Sequence, residues 1–241
     1  MNRKIFCPIL IFFMALFLCH CTDKKRKETA TPLNRTNTSI VITNSREYFK
    51  KRLLIQKNGI IKSLAISIKN DDNLDINKLL TDINHTNISS LLIAAKPFNL
   101  NYNTNNTKLR KLTIITNTVN VENNALYCLD SLKELEIFTS QNVFSYIKLP
   151  KSIEKLSIGG KFQYLPSFLL DTNISELTIV DDSLYYFDSL SSLKTLKILN
   201  IQNTLLGKKL RTQNKYALQY LKQLKMKLKH VYIKFYFDEI I

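Results

Sequence analysis

Few side chains in this sequence have the type and spacing to do chemistry. Neither His85 nor His230 has a Ser, Cys or Asp at a spacing used in nucleophilic or base catalysis. Glu134 and Glu136 flank Leu135, so both carboxylates leave the same face of an extended strand. Like carboxylates on a surface are ordinarily solvated, not paired as acid and base. Asp71-Asp72 and Asp181-Asp182 lack the alternating oxygen-ligand spacing of a calcium loop. Gly159-Gly160 is not followed by the Lys-Ser or Lys-Thr of a phosphate-cradling loop. Cys128 sits in Leu126-Tyr127-Cys128-Leu129, an apolar context that suits a buried structural thiol. These residues predict a non-catalytic protein with no cofactor and no metal site.

What remains is recognition, and the elements that would position it must be read from pattern. The chain has 241 residues, 45% of them hydrophobic, which is enough for a packed core in one or two domains. Only 4 Gly and 5 Pro exclude a collagenous or Gly/Pro-rich linker protein.

Arg3 and Lys4 precede an apolar run from Ile5 to Leu18, and a polar stretch follows Cys21. A basic start, a short apolar middle and an abrupt polar switch describe a secretory signal peptide over residues 1–21. The run is shorter than the roughly 20 residues of a membrane span; a retained N-terminal anchor is the alternative. Leu18 stands three residues before Cys21, and Leu16 three before Cys19. This resembles the lipobox of bacterial lipoproteins. The resemblance implies acylation at Cys21 (or Cys19), with Cys21 favoured because it abuts the polar segment, and an exported protein anchored to a membrane, periplasmic or at the cell surface. Residues 22–38 then read as a polar tether, and Cys128 as the sole unmodified cysteine of the mature chain, so no disulfide forms within it.

From there an internal period organises the sequence. The pattern Leu/Ile-x-x-Leu-x-Ile recurs at Ile61/Leu64/Ile66, Ile88/Leu91/Ile93, Leu109/Leu112/Ile114 and Leu132/Leu135/Ile137. It continues at Ile153/Leu156/Ile158, Ile174/Leu177/Ile179 and Leu193/Leu196/Ile198, with steps of 27, 21, 23, 21, 21 and 19 residues. The overlapping triplet Leu196/Leu199/Ile201 also fits, which leaves two registers for the last copy. Leu112 and Ile114 are two apart and so share a strand face, while Thr113 points the other way. One copy cannot bury such a face alone, but stacked copies make a continuous core. About 12 residues remain for each return, too few for the long helix of an ordinary βαβ crossover.

The repeat resembles the leucine-rich-repeat family over roughly residues 55 to 235. That implies an α/β solenoid with a parallel concave sheet, short return segments and a C-terminal helical cap, and a role in binding a protein through the concave face. In that family Asn often stands three residues after the last core aliphatic, where it bonds turn backbone. Here only Asn117 fits, so the other turn amides and carbonyls need different partners. Residues 39–60 read as the N-terminal cap and 61–204 as the repeats. Residues 205–241 read as the C-terminal cap, with a helix from Leu210 to Leu228 that turns Leu218, Leu221, Leu224 and Leu228 inward, then a strand over 231–237.

Residues flanking the core aliphatics are the candidate partner-binding side chains. They are Lys111, Thr113 and Ile115; Glu134, Glu136 and Phe138; Lys155 and Ser157; and Glu176, Thr178 and Val180. The column Ile115, Phe138, Gly159, Val180 and Leu199 is apolar. Either it is an exposed anchor for a partner, or neighbouring side chains or a loop cover it. Residues 108–200 hold 10 basic and 10 acidic groups, whereas 205–241 hold 9 and 2. A neutral centre argues against nucleic acid in a basic groove. The basic ends are either a solvated helix face or a surface attracted to anionic lipid or glycan.

Overall fold

The computed structural model describes residues 39–57, 61–68, 75–84, 86–95, 97–100, 108–121, 125–140, 147–162 and 164–236. The expected signal peptide and tether, Cys19 and Cys21 among them, and His85 lie outside these residues.

The aliphatic triplets become strands. Chain order gives β1 (Ser39–Ile42), α1 (Ser45–Lys57), β2 (Ser63–Ser67), α2 (Ile76–Ile83), β3 (Ser90–Ala94) and β4 (Phe98–Leu100). Then follow β5 (Lys111–Ile115), β6 (Val119–Val121), β7 (Glu134–Phe138), β8 (Lys155–Gly159), β9 (Glu176–Asp181) and β10 (Ile198–Thr204). The chain closes with α3 (Leu205–Arg211), α4 (Lys215–Lys227) and β11 (Tyr232–Lys234). Nine of these strands form one sheet, in the order β1-β2-β3-β5-β7-β8-β9-β10-β11, and every pairing is parallel. This is the expected α/β repeat solenoid.

Register turns the sequence period into two interior rows. Leu112, Leu135, Leu156 and Leu177 are direct neighbours, and so are Ile114, Ile137, Ile158 and Ile179. All eight are buried. Each contributes about 1.5–3 kcal/mol by leaving water, and none could do so without the copies on either side. The last copy takes the second of its two registers. Leu199 pairs with Leu177 and is fully buried, so the repeat is Leu196/Leu199/Ile201. Leu199 therefore belongs to the interior Leu row and not to the outer apolar column. A register shift between Asn200 and Asn203 then sets Asn203 opposite Val180.

The length of each step decides the return. The 27-residue first step admits a helix, α2, which buries Ile76, Leu79, Leu80 and Ile83 and is capped by the Asp75 carboxylate accepting from the Asn77 and Lys78 amides. Later returns hold the short parallel pair β4 and β6, or single 3₁₀ turns at Ser167–Asp171 and Asp188–Ser192.

The turns leaving the strands are satisfied one position earlier than the family comparison suggests. Thr116, Thr139 and Asp181 each stand two residues after the last core aliphatic, and all are buried. Thr116 donates to the Thr118 carbonyl. The Asp181 carboxylate accepts from the Phe162 amide in the preceding repeat and, at 2.7 Å each, from the Ser183 amide and hydroxyl. Thr204 follows the shifted register, donates to the Ile201 carbonyl and caps α3 by accepting from the Gly207 amide. Asn117, the one residue at the family position, is exposed; its backbone carbonyl accepts from the Ser140 amide and hydroxyl.

The C-terminal cap departs from the expected single helix. Two helices meet at Thr212-Gln213-Asn214, where Gln213 takes a left-handed φ of 54° and Asn214 caps α4 by accepting from the Tyr216 and Ala217 amides. Capping an interior Asn is the local physics that periodicity misses. The inward face of α4 is accordingly Ala217, Leu221, Leu224 and then Leu228, while Leu218 is exposed. Among the described residues the final strand is limited to Tyr232–Lys234; Phe237 lies outside them.

Candidate functional site

The side chains between the two interior rows leave the opposite face of the sheet in three further rows. The first is Lys111, Glu134, Lys155 and Glu176, one from each of β5, β7, β8 and β9. The charges alternate because the register brings unlike residues together. Lys111 Nζ lies 3.2 Å from Glu134 Oε2, and Lys155 Nζ 3.2 Å from Glu176 Oε1. These four side chains keep between 37% and 50% of their surface exposed. Beside them, Lys133 and Glu154 pair at 2.6 Å just ahead of β7 and β8. Sequence reading passed over this pair, although the 21-residue offset was visible.

The second row is Thr113, Glu136, Ser157 and Thr178. Thr113 is buried and donates to Glu136 Oε2 at 2.7 Å, while Lys111 Nζ donates to Glu136 Oε1 at 3.1 Å. Burial opposes the charge on Lys111, yet Glu136 and then Glu134 outweigh it and hold its pKa above the ordinary lysine value. Glu134, Glu136, Lys155, Ser157, Glu176 and Thr178 line a depression of about 160 Å³ floored by Leu135 and Leu156. Its carboxylates can accept from a partner's amides or cationic side chains, and Lys155 can donate. With Glu134 and Glu136 both tied to Lys111, it is a hydrogen-bonding surface and not an acid–base pair.

The third row is Ile115, Phe138, Gly159 and Val180, and here the exposed reading is corrected. Ile115 is 2% and Phe138 5% exposed; Val180 is half-buried. The missing side chain at Gly159 explains Phe138: a Cβ there would come within 2.6 Å of Phe138 Cδ1. The ring lies over the neighbouring glycine and fills the gap in the column. The face is thus open at the N-terminal ends of the strands and closed at their C-terminal ends.

The other singled-out groups stay apart. Cys128 is half-buried, and His230 is exposed beside the final strand. Among the described residues no three His, Cys, Asp or Glu side chains converge as for a metal ion. Also among them, no helix is long and apolar enough to cross a membrane.

No protein family model matches the chain, and no curated protein matches it. Among solved structures it is similar to an internalin, inlF, from Listeria monocytogenes str. 4b F2365, at 16% identity and a TM-score of 0.45. The match covers 68% of this chain and 45% of that one, so the chain spans less than half the length of its structural neighbour. The fold assignment rests on the parallel register and the shared aliphatic interior, not on this likeness.

Proposed function

We propose that this is a non-catalytic recognition protein that binds another protein along the open band at the N-terminal ends of β5, β7, β8 and β9. The observation that carries the reading is the row Lys111, Glu134, Lys155 and Glu176. It is half-exposed, spaced by a rigid parallel sheet, and backed by the hydrogen-bonding groups Glu136, Ser157 and Thr178. A patterned polar band gives specificity and register more than raw affinity. The apolar column plays no direct part; Ile115 and Phe138 support the sheet beneath the band's far edge.

A photo-crosslinking side chain placed at Ser157 tests this in the producing cell. A discrete protein adduct is expected from half-buried Ser157 and not from Tyr164, which is more exposed but lies off the sheet. Equal adducts at both positions, or none at Ser157, would refute the assignment. The lipobox-like N-terminus supports a second part of the reading, an exported lipoprotein held by acylated Cys21. Cys21→Ser is expected to release the protein from membranes washed at high salt, which strips charge-held protein; if Cys19→Ser does so instead, the anchor is Cys19, and retention of both variants after that wash refutes acylation.

A further inference from the structure

The C-terminal cap carries charge of a different kind from the sheet. From Leu205 to Tyr236 it has nine basic residues and no acidic one. Five of the nine are engaged. Lys208 pairs with Asp182 and Lys227 with Asp188, both acids lying in the return between β9 and β10. Arg211 donates to the Gln202 and Phe235 carbonyls. Lys209 lies 5.9 Å from the Tyr185 ring and Lys234 6.0 Å from the Tyr232 ring. The other four, Lys215, Lys222, Lys225 and Lys229, are exposed and make no ion pair with any described residue.

Helix geometry gathers three of those four on one side, and Lys229 follows the end of α4. With Ala217, Leu221 and Leu224 turned inward, a period of 3.6 residues puts Lys215, Lys222 and Met226 on the opposite, outermost line, with Leu218 and Lys225 beside it. Tyr216 is 75%, Met226 63% and Leu218 38% exposed. A face that only needed solvation would have no use for three large apolar side chains among unpaired lysines. A convex ridge of this composition has no groove to grip a linear acidic polymer. It suits a plane, with lysines reaching anionic head groups while the apolar tips enter the head-group boundary.

We propose that α4 is a docking face for an anionic lipid bilayer, independent of recognition by the sheet. The full-length chain is mixed with vesicles of phosphatidylcholine, alone or containing phosphatidylglycerol. The apolar run Ile5–Leu18 would partition into both compositions alike, so the reading is the difference between them. Replacing Lys215, Lys222, Lys225 and Lys229 with Gln is expected to remove that difference, at about fivefold in affinity per lysine and several hundredfold together. Four equivalent replacements at exposed Lys62, Lys148, Lys151 and Lys161 lower net charge equally and are expected to leave most of it.

The chain has no tryptophan. Tyr216→Trp therefore supplies a single indole, expected to shift its emission to the blue with phosphatidylglycerol vesicles, while Tyr164→Trp does not. Equal loss in the two quadruple variants would show a diffuse charge effect and overturn the proposal. So would an unshifted Tyr216→Trp spectrum with bound vesicles. Binding to polyglutamate without binding to anionic vesicles would overturn it too, and assign the face to an acidic polypeptide.

Discussion

If the Phe138 ring closes over Gly159, the two residues are energetically coupled in a way an exposed anchor would not be. Glycine inside a strand ordinarily costs about 0.5–1 kcal/mol relative to alanine, so Gly159→Ala on an open face would stabilise the protein. Here the added methyl would sit 2.6 Å from Phe138 Cδ1 and 3.4 Å from Val180 Cβ. Ordinary contact begins at about 3.4 Å, so the ring must move by roughly 0.8 Å within a covered site. Overpacking of this kind costs about 1–3 kcal/mol. The net expectation for Gly159→Ala is a destabilisation of about 0.5–2 kcal/mol. Phe138→Leu removes the clashing ring edge and, on its own, destabilises by lost burial. In the Phe138→Leu background, Gly159→Ala is then expected to become neutral or stabilising. The coupling between the two changes is expected at about 1–2 kcal/mol, well above the few tenths seen for independent sites. Urea midpoints of the four proteins, with the slope checked for constancy, measure it. Additive effects, or Gly159→Ala stabilising the wild type, would mean that the ring is not where this fold places it.

Gly207→Ala is expected to destabilise by about 1–3 kcal/mol despite alanine's better helix propensity, because its Cβ would fall 2.0 Å from the Ile201 carbonyl oxygen; an unchanged thermal midpoint would refute the close approach of α3 to β10. Asp181→Ala strands the buried Phe162 amide and frees the Ser183 amide, and is expected to cost about 1–3 kcal/mol, with Asp181→Asn costing less because its side-chain oxygen still accepts; equal losses would show that charge, not acceptance, holds the turn. Stability is expected to fall as acid is added. The hydrogen bond from Lys51, then those from Thr43, hold the Glu47 carboxyl at about 2, and the hydrogen bond from Lys227 holds Asp188 below the ordinary range. Both groups have a lowered folded pKa, so their contribution is complete above the ordinary carboxylate range and is lost as pH falls through the lowered values, about 2 for Glu47. Glu47→Gln is expected to flatten that part of a stability–pH curve; an unchanged slope would refute the assignment.

The sheet was legible because its information is periodic. A shared face for Leu112 and Ile114 needs only the two-residue repeat of a strand, and stacking follows from the impossibility of burying one copy alone. What escaped depended on single residues acting across repeats. The last register turned on one overlapping triplet, decided by where Leu199 meets Leu177. The buried turn residues Thr116, Thr139 and Asp181 sit one position short of the family's Asn, with Thr116 donating and Asp181 accepting. The helix break at Thr212–Asn214 escaped because the leucine period of Leu218, Leu221, Leu224 and Leu228 begins after it, and that period named three of the four inward residues, with Ala217 in place of Leu218.

The candidate site was half legible for the same reason. Every flanking residue could be assigned to a row from spacing, but exposure within a row is set by its neighbours. Lys111 stays half-exposed because Glu134 and Glu136 hold it over the sheet. Phe138 vanishes from the surface because the next strand offers a glycine. The same logic separates the two charged surfaces. On the sheet, register places each Lys of the first row beside a Glu, so charge there is largely neutralised and suits a partner read by pattern. Across Leu205–Tyr236 there is no acidic residue, and Asp182 and Asp188, in the return between β9 and β10, pair with Lys208 and Lys227. Lys215, Lys222, Lys225 and Lys229 make no ion pair with any described residue, so the field of the cap extends outward. Raising ionic strength should therefore weaken what the cap binds far more than what the sheet binds.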